Sequence, residues 1–100
     1  MAVFIVSRVD IADPDRMAAY MQAAPATVEA FGGRYVVRTG NIAVIEGEER
    51  CDRMVVLEFP TREQALAWYH SELYRPLRDL RWQVAKASIL LLDPTAVPAS

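Results

Sequence analysis

One hundred residues carry thirteen acidic and eleven basic side chains, a net charge of −2, with 53% of the residues hydrophobic. That length makes a single domain with one thin core. The mixed, near-balanced charge excludes the basic stripe that a nucleic-acid binder needs.

Cys51 is the single cysteine, so an intrachain disulfide is excluded and a reducing compartment fits. Residues 1–10 carry no basic stretch ahead of their short apolar run. Ile89–Leu92 is far below the roughly 18 apolar residues of a membrane span. The expectation is a soluble, cytoplasmic protein with no membrane partner. A high apolar share in so small a domain leaves apolar area over once a core is filled, which points to a partner surface.

Ala2–Val9 is rich in β-branched and aromatic residues and reads as a strand. Asp13 followed by Pro14 opens a helix: the aspartate caps free amides and the proline has no N–H to leave unpaired. Met17, Tyr20, Met21, Ala24, Val28 and Phe31 recur at steps of three and four along it. Pro25 predicts a kink near Met21–Ala24, and Gly32-Gly33 ends the helix. Arg34–Ile45 is extended; one long strand bent or bulged at Gly40-Asn41 is expected, with two short strands as the alternative. A polar turn, Glu46–Asp52, leads into a strand over Arg53–Phe59 and completes a hairpin. Pro60-Thr61 opens the second helical region, with Thr61 and Gln64 spaced as a capping box. Val84–Leu92 supplies the last strand. The Pro- and Ala-rich end, 94–100, reads as a loose tail after a single domain over 1–93.

The order β-α-β-β-α-β is the split-βαβ, ferredoxin-like pattern: α+β, a four-stranded antiparallel sheet with two helices on one face. The uncovered face of such a sheet should be polar. These strands instead carry apolar residues on both sides, such as Phe4 and Val6 against Val3 and Ile5. Covering that face at about 25 cal/mol per Å² favours association, and a homodimer packed sheet to sheet is expected.

Leu57–Arg81 holds two of the four tyrosines, the one histidine and Trp68. Taken as one helix from Thr61, it would set Leu66, Tyr69, His70, Leu73, Leu77 and Leu80 on one stripe of about 100°. Trp68 would then face solvent among Glu72, Arg75 and Asp79. Ser71 is a good N-cap and Pro76 does not sit deep in a helix. The expectation is therefore a helix over Arg62–His70, a break near Ser71, and a second helix after it, with Trp68 turned inward.

These residues resemble a bacterial family known as domain of unknown function 1330, a branch of the dimeric α+β-barrel, ferredoxin-like superfamily. The resemblance spans Phe4 to about Leu92. It rests on Gly32-Gly33-Arg34-Tyr35, Glu46-Gly47, Glu58-Phe59-Pro60-Thr61, Ala65, Trp68-Tyr69, Ser71, Tyr74 and Arg81. Where the family usually reads Ser-Pro-Glu-Tyr, this chain has Ser71-Glu72-Leu73-Tyr74. The resemblance implies a dimer with its two sheets facing and carries over no reaction. The superfamily includes cofactor-free oxygenases, lactone isomerases and haem-handling proteins, and fold does not transfer function.

One histidine, one cysteine and scattered carboxylates give no metal-ligand spacing. Haem held by His70 alone is the third reading, without a supporting motif; a helix-end histidine is the plainer one. The serines have no identifiable base, and Gly32-Gly33 follows a helix instead of opening one, so it cradles no phosphate. No cofactor is expected.

The remaining candidate is a small-molecule cleft walled by Tyr20, Tyr35, Trp68, Tyr69 and Tyr74, with Arg81, His70 and Glu58 as polar groups. Arg81 suits a carboxylate held bidentately, and Tyr74 or His70 suits proton exchange with an enolisable or phenolic substrate. Tyr74, His70 and Arg81 are the catalytic candidates. Tyr69, Tyr74, Arg81, Glu58, Trp68 and Tyr20 are the ligand-binding candidates, for a small acidic or aromatic ligand. Against this stands a structural alternative: the aromatics are core, Glu58 and Arg81 form an ion pair tying strand to helix, and Arg34 and Arg38 lie on a solvated strand face. The first reading makes the chain a dimeric small-molecule-binding domain or a cofactor-free enzyme; the second makes it a non-catalytic accessory protein.

Overall fold

The computed structural model describes residues 2–48 and 50–94. Strand β1 (Val3–Ile11) is followed by helix α1 (Pro14–Ala30), strands β2 (Arg34–Thr39) and β3 (Arg53–Phe59), helices α2 (Arg62–Tyr69) and α3 (Arg75–Val84), and strand β4 (Ala85–Leu92). The four strands form one sheet in the order β2-β3-β1-β4, antiparallel at every pairing. This is the ferredoxin-like α+β arrangement expected from the element order, with the second helical region divided in two.

The ends of the elements follow their capping chemistry. Asp13 accepts from the Arg16 amide at 3.2 Å, and Pro14 begins α1. Pro25 does not divide the helix, which runs through it to Ala30 as one element. At its end Gly32 takes a positive φ of 81°. The Gly32 amide donates to Glu29 and the Gly33 amide to Val28, each at 3.0 Å; this is a Schellman termination. Gly33 is required for a second reason: a Cβ there would lie 2.5 Å from the ring of Phe59.

Thr61 accepts from the Gln64 amide at 3.1 Å. The Gln64 side chain completes only part of a capping box, because its amide nitrogen donates to the Phe31 carbonyl instead. One glutamine thus ties the start of α2 to the end of α1.

The break falls where Ser71 and Pro76 place it. Ser71 Oγ donates to the Trp68 carbonyl at 2.8 Å and accepts from the Tyr74 amide at 3.1 Å. It fastens the turn between the helices, and α3 begins with Pro76 in its first turn. The consequence is a change of phase. Ala65 and Trp68 of α2 are buried, as are Tyr74, Arg81 and Val84 further on, while Leu66, Leu73 and His70 are exposed.

Two expectations for the second strand are overturned. It ends at Thr39, and no strand continues through Ile45. Its bulge lies between Tyr35 and Val37, not at Gly40-Asn41. Past Thr39 the chain has no neighbouring strand to pair with, since β3 begins at Arg53, and Ile45 is 99% exposed. A strand-like sequence without a ladder stays extended but unpaired.

The core lies between the helices and one sheet face. Val3, Ile5, Val28, Leu57, Phe59, Ala65, Trp68 and Tyr74 form the larger cluster, and Val9, Met17 and Val84 a smaller one. The register sets Phe4, Val6, Met54, Val56, Leu90 and Leu92 on the other face, where Leu90 and Leu92 are about half exposed at 52% and 50%. Among the described residues no helix is long and apolar enough to cross a membrane. From residue 95 onward, the expected loose tail lies outside the described residues.

Candidate functional site

Between α1, α3 and the sheet lies a partly enclosed cavity of about 40 Å³, room for roughly three waters. Val9, Met17, Met21, Val55, Leu57 and Trp68 supply its apolar walls, with Ser7, Tyr20, Tyr35, Arg38, Arg53 and Arg81 as polar groups. Three guanidinium groups and no carboxylate line it, in a chain whose net charge is −2.

Arg81 is its most unusual member. It sits in the last turn of α3, only 3% exposed, and its Nε and Nη2 are buried without a hydrogen-bond partner. A buried, unpaired donor costs about 1–3 kcal/mol, more when charged. Burial alone would lower the guanidinium's pKa. The neighbouring Tyr74, then Tyr20 and Tyr69, outweigh that, and the net direction is upward. Arg81 is therefore a fixed cation inside the fold.

Tyr20 and Tyr74 share a 2.6 Å hydrogen bond between their hydroxyls, with rings edge to face at 6.2 Å. Burial, then the neighbouring Tyr74, raises the Tyr20 pKa far above its ordinary value, although Arg81 pulls the other way. Burial also raises that of Tyr35, against the pull of Arg38. The Tyr20 hydroxyl is thus a neutral donor throughout the physiological range.

The candidates divide according to where their elements aim them. Tyr20, Trp68 and Arg81 line the cavity, and Tyr74 stands behind Tyr20 as its hydrogen-bond partner. Trp68 is also a structural residue: its indole N–H donates to Thr27 Oγ1 at 3.0 Å, and Thr27 donates onward to the Ala24 carbonyl at 2.7 Å. Its ring lies 4.2 Å from that of Tyr74. Tyr69, next to Trp68 on a short helix, packs against the Trp68 and Tyr74 rings but does not line the cavity. With the exposed His70, edge-on at 5.2 Å, it lines a shallower groove beside β4.

Glu58 does not join the others. It alternates with the buried Leu57 and Phe59, so it lies on the open sheet face, opposite Arg34. Its Oε1 is 2.5 Å from Arg34 Nη2, close but not aligned as a hydrogen bond. The expected Glu58–Arg81 ion pair is therefore replaced by Glu58–Arg34, with the sheet between Glu58 and Arg81.

Arg38 is the residue whose place differs most from expectation. Arg34 and Arg38 share a face in an unbroken strand, but the bulge at Val36 inserts one residue and reverses the alternation. Arg34 stays opposite Glu58, while Arg38 comes opposite Val55 on the helix side, 4.7 Å above the Tyr35 ring at the cavity. Arg53, Met17, Met21 and Ser7 also went unnoticed as site residues; the alternation of β1 and β3 places Ser7 and Arg53 on the helix side. Among the described residues no group of three or more His, Cys, Asp or Glu could hold a metal ion.

The fold recurs in solved structures. The RPA0582 protein of unknown function from Rhodopseudomonas palustris is 20% identical, with a TM-score of 0.75 over 97% of this chain and 84% of that one. SnoaB, a cofactor-independent oxygenase from Streptomyces nogalater, is 11% identical, with a TM-score of 0.67 over 96% and 95%. A dimeric ferredoxin-like protein of unknown function from Jannaschia sp. CCS1 is 10% identical, with a TM-score of 0.68 over 93% and 99%. No curated protein matches the chain. The sequence model of the domain of unknown function (DUF1330) family matches residues 2–95, and the chain belongs to that family.

Proposed function

We propose that this member of the DUF1330 family is a small-molecule-binding domain that works as a homodimer, with the cavity beside Arg81 as its ligand site. The observation that carries this reading is the buried Arg81, whose Nε and Nη2 have no partner within the fold. A structural arginine is retained where its donors are satisfied; here two are held unpaired beside a space lined by aromatic rings. The ligand is small and acidic or aromatic. The space is about 40 Å³, and larger ligands would need it to widen.

The dimer reading rests on the apolar open face, which holds Phe4, Val6, Met54, Val56, Leu90 and Leu92. The dimeric Jannaschia protein shows that its own version of this fold assembles in pairs. We place the work in the cytoplasm because Cys51 is a free thiol.

Catalysis without a cofactor is the enzymatic form of this reading. SnoaB is a cofactor-independent oxygenase on the same fold, which allows such chemistry without assigning it. Of the catalytic candidates, Arg81 lines the cavity, Tyr74 reaches it through Tyr20, and His70 lies outside it.

A thermal-shift screen of small carboxylates and phenols on the purified protein tests the site. At least one compound should raise Tm, and Arg81→Met should lose that response. A response retained by Arg81→Met would place the ligand elsewhere.

A further inference from the structure

The hydrogen bond between Tyr20 and Tyr74 has a direction. Arg81 is a charge neighbour of Tyr74, and a guanidinium offers no acceptor for the Tyr74 proton. Tyr74 is 1% exposed, and its hydroxyl lies 2.6 Å from that of Tyr20. If Tyr20 donated in that bond, the Tyr74 proton would be buried without an acceptor. With Tyr74 donating, every proton of the pair is used except the one on Tyr20. Tyr20 is the member of the pair that lines the cavity. Tyr74 therefore donates to Tyr20, and the pair ends on a free Tyr20 O–H donor at the cavity wall, in the same lining as the Arg81 cation.

The unpaired nitrogens of Arg81 complete the pattern. Nε and Nη2 are the two ends of one guanidinium edge, the edge that takes a planar carboxylate side-on through two parallel bonds. Arg38 and Arg53 add positive charge to the same lining, and no carboxylate there competes. Arg81 thus brings two unpaired, buried N–H donors on one edge to the lining, and Tyr20 one O–H donor, against apolar walls of Met17 and Trp68.

From this arrangement we propose that the site recognises a carboxylate with a second oxygen on the adjacent carbon: a 2-oxo or 2-hydroxy acid. The carboxylate seats on the Nε–Nη2 edge of Arg81, and the second oxygen accepts from the Tyr20 hydroxyl. The small volume favours short chains. This inference rests on the cavity being the ligand site, and it adds the chemical class and the residue that reads it.

The test is titration of the full-length protein with propionate, lactate and pyruvate, followed by calorimetry and by Tm. Lactate or pyruvate should bind about tenfold tighter than propionate, the worth of one well-placed hydrogen bond. Tyr20→Phe, which keeps the ring, should bring both to the propionate level and leave propionate unchanged. Equal binding of all three by the unaltered protein, or a preference that survives Tyr20→Phe, overturns the assignment while the ligand site itself stands. No binding of any of the three overturns the assignment, and the ligand site itself then stands or falls by the Arg81-dependent response in the wider screen.

Discussion

The two faces of the sheet depart from the ordinary pattern in opposite ways. Between the helices and the sheet the apolar core is covered, Tyr20 and Tyr74 share a bond and the Trp68 indole is bonded to Thr27, yet Arg81 keeps two donors unpaired. On the open side the charged Glu58 has Arg34 beside it, yet a field of aliphatic and aromatic side chains lies uncovered. One face lacks an anion and the other lacks a lid. The proposed ligand would supply the first and the proposed second copy the other.

The largest expected effect lies on the open face. Val56→Asp puts a charge near the centre of the apolar field, opposite Val6 and Val37. The mass in light scattering should fall from twice the chain mass to the single-chain 11.2 kDa. A native protein already at 11.2 kDa would remove the open-face half of the contrast.

On the covered face, Trp68→Ala should cost about 3–5 kcal/mol in urea unfolding, since it empties the centre of the aromatic cluster. Trp68→Phe keeps most of the ring and strips the bond to Thr27; about 1–2 kcal/mol should be lost. Equal costs for the two would mean that the hydrogen bond, and not the packing, holds that face.

Arg81→Met should do the reverse. Replacing a buried cation that has no carboxylate partner with an apolar side chain of similar length should leave stability unchanged or raise it by about 1 kcal/mol. The same change should abolish the ligand response. A loss of several kcal/mol would show that Arg81 is a structural strut and that the two faces differ less than the comparison holds.

The smallest effect is in alkali. The hydroxyls of Tyr20 and Tyr35 titrate above their ordinary value of 10.0 in the folded chain. Their contribution is fully present below pH 10 and falls as pH rises further, because the unfolded tyrosines ionise first. Tm followed through that range should decline above about pH 10, and Tyr20→Phe should flatten the decline.

Much of the framework was legible because it is local. Asp13-Pro14, Gly32-Gly33 and Thr61 mark helix ends through the chemistry of a single turn, and the break after α2 follows from Ser71, Pro76 and the awkward phase of Trp68. The Glu58 assignment was recoverable: strict alternation with Leu57 and Phe59 puts its carboxylate away from the helices. The place of Arg38 was not. Tyr35-Val36-Val37 is apolar at successive positions, so inserting one residue leaves no trace in the pattern, yet it turns an arginine from one face to the other. The end of β2 at Thr39 was equally hidden, because strand propensity in Ile42–Ile45 does not say whether a neighbour exists to pair with. Tyr69 lines the groove beside β4 and not the cavity because adjacent helical residues diverge by about 100°, and Trp68 takes the inward direction.

The two tryptophans sit in opposite surroundings. Trp82 is 59% exposed with the Arg78 guanidinium 4.7 Å above its ring, whereas Trp68 is enclosed and borders the cavity. The protein therefore carries two fluorophores, one reporting bulk water and one reporting the site. Replacing Trp82 by Phe would leave a single emitter against the ligand space, with Tyr74 and Tyr69 close enough to pass excitation to it. Occupancy of the cavity would then be visible as a change in intrinsic emission, without any added label.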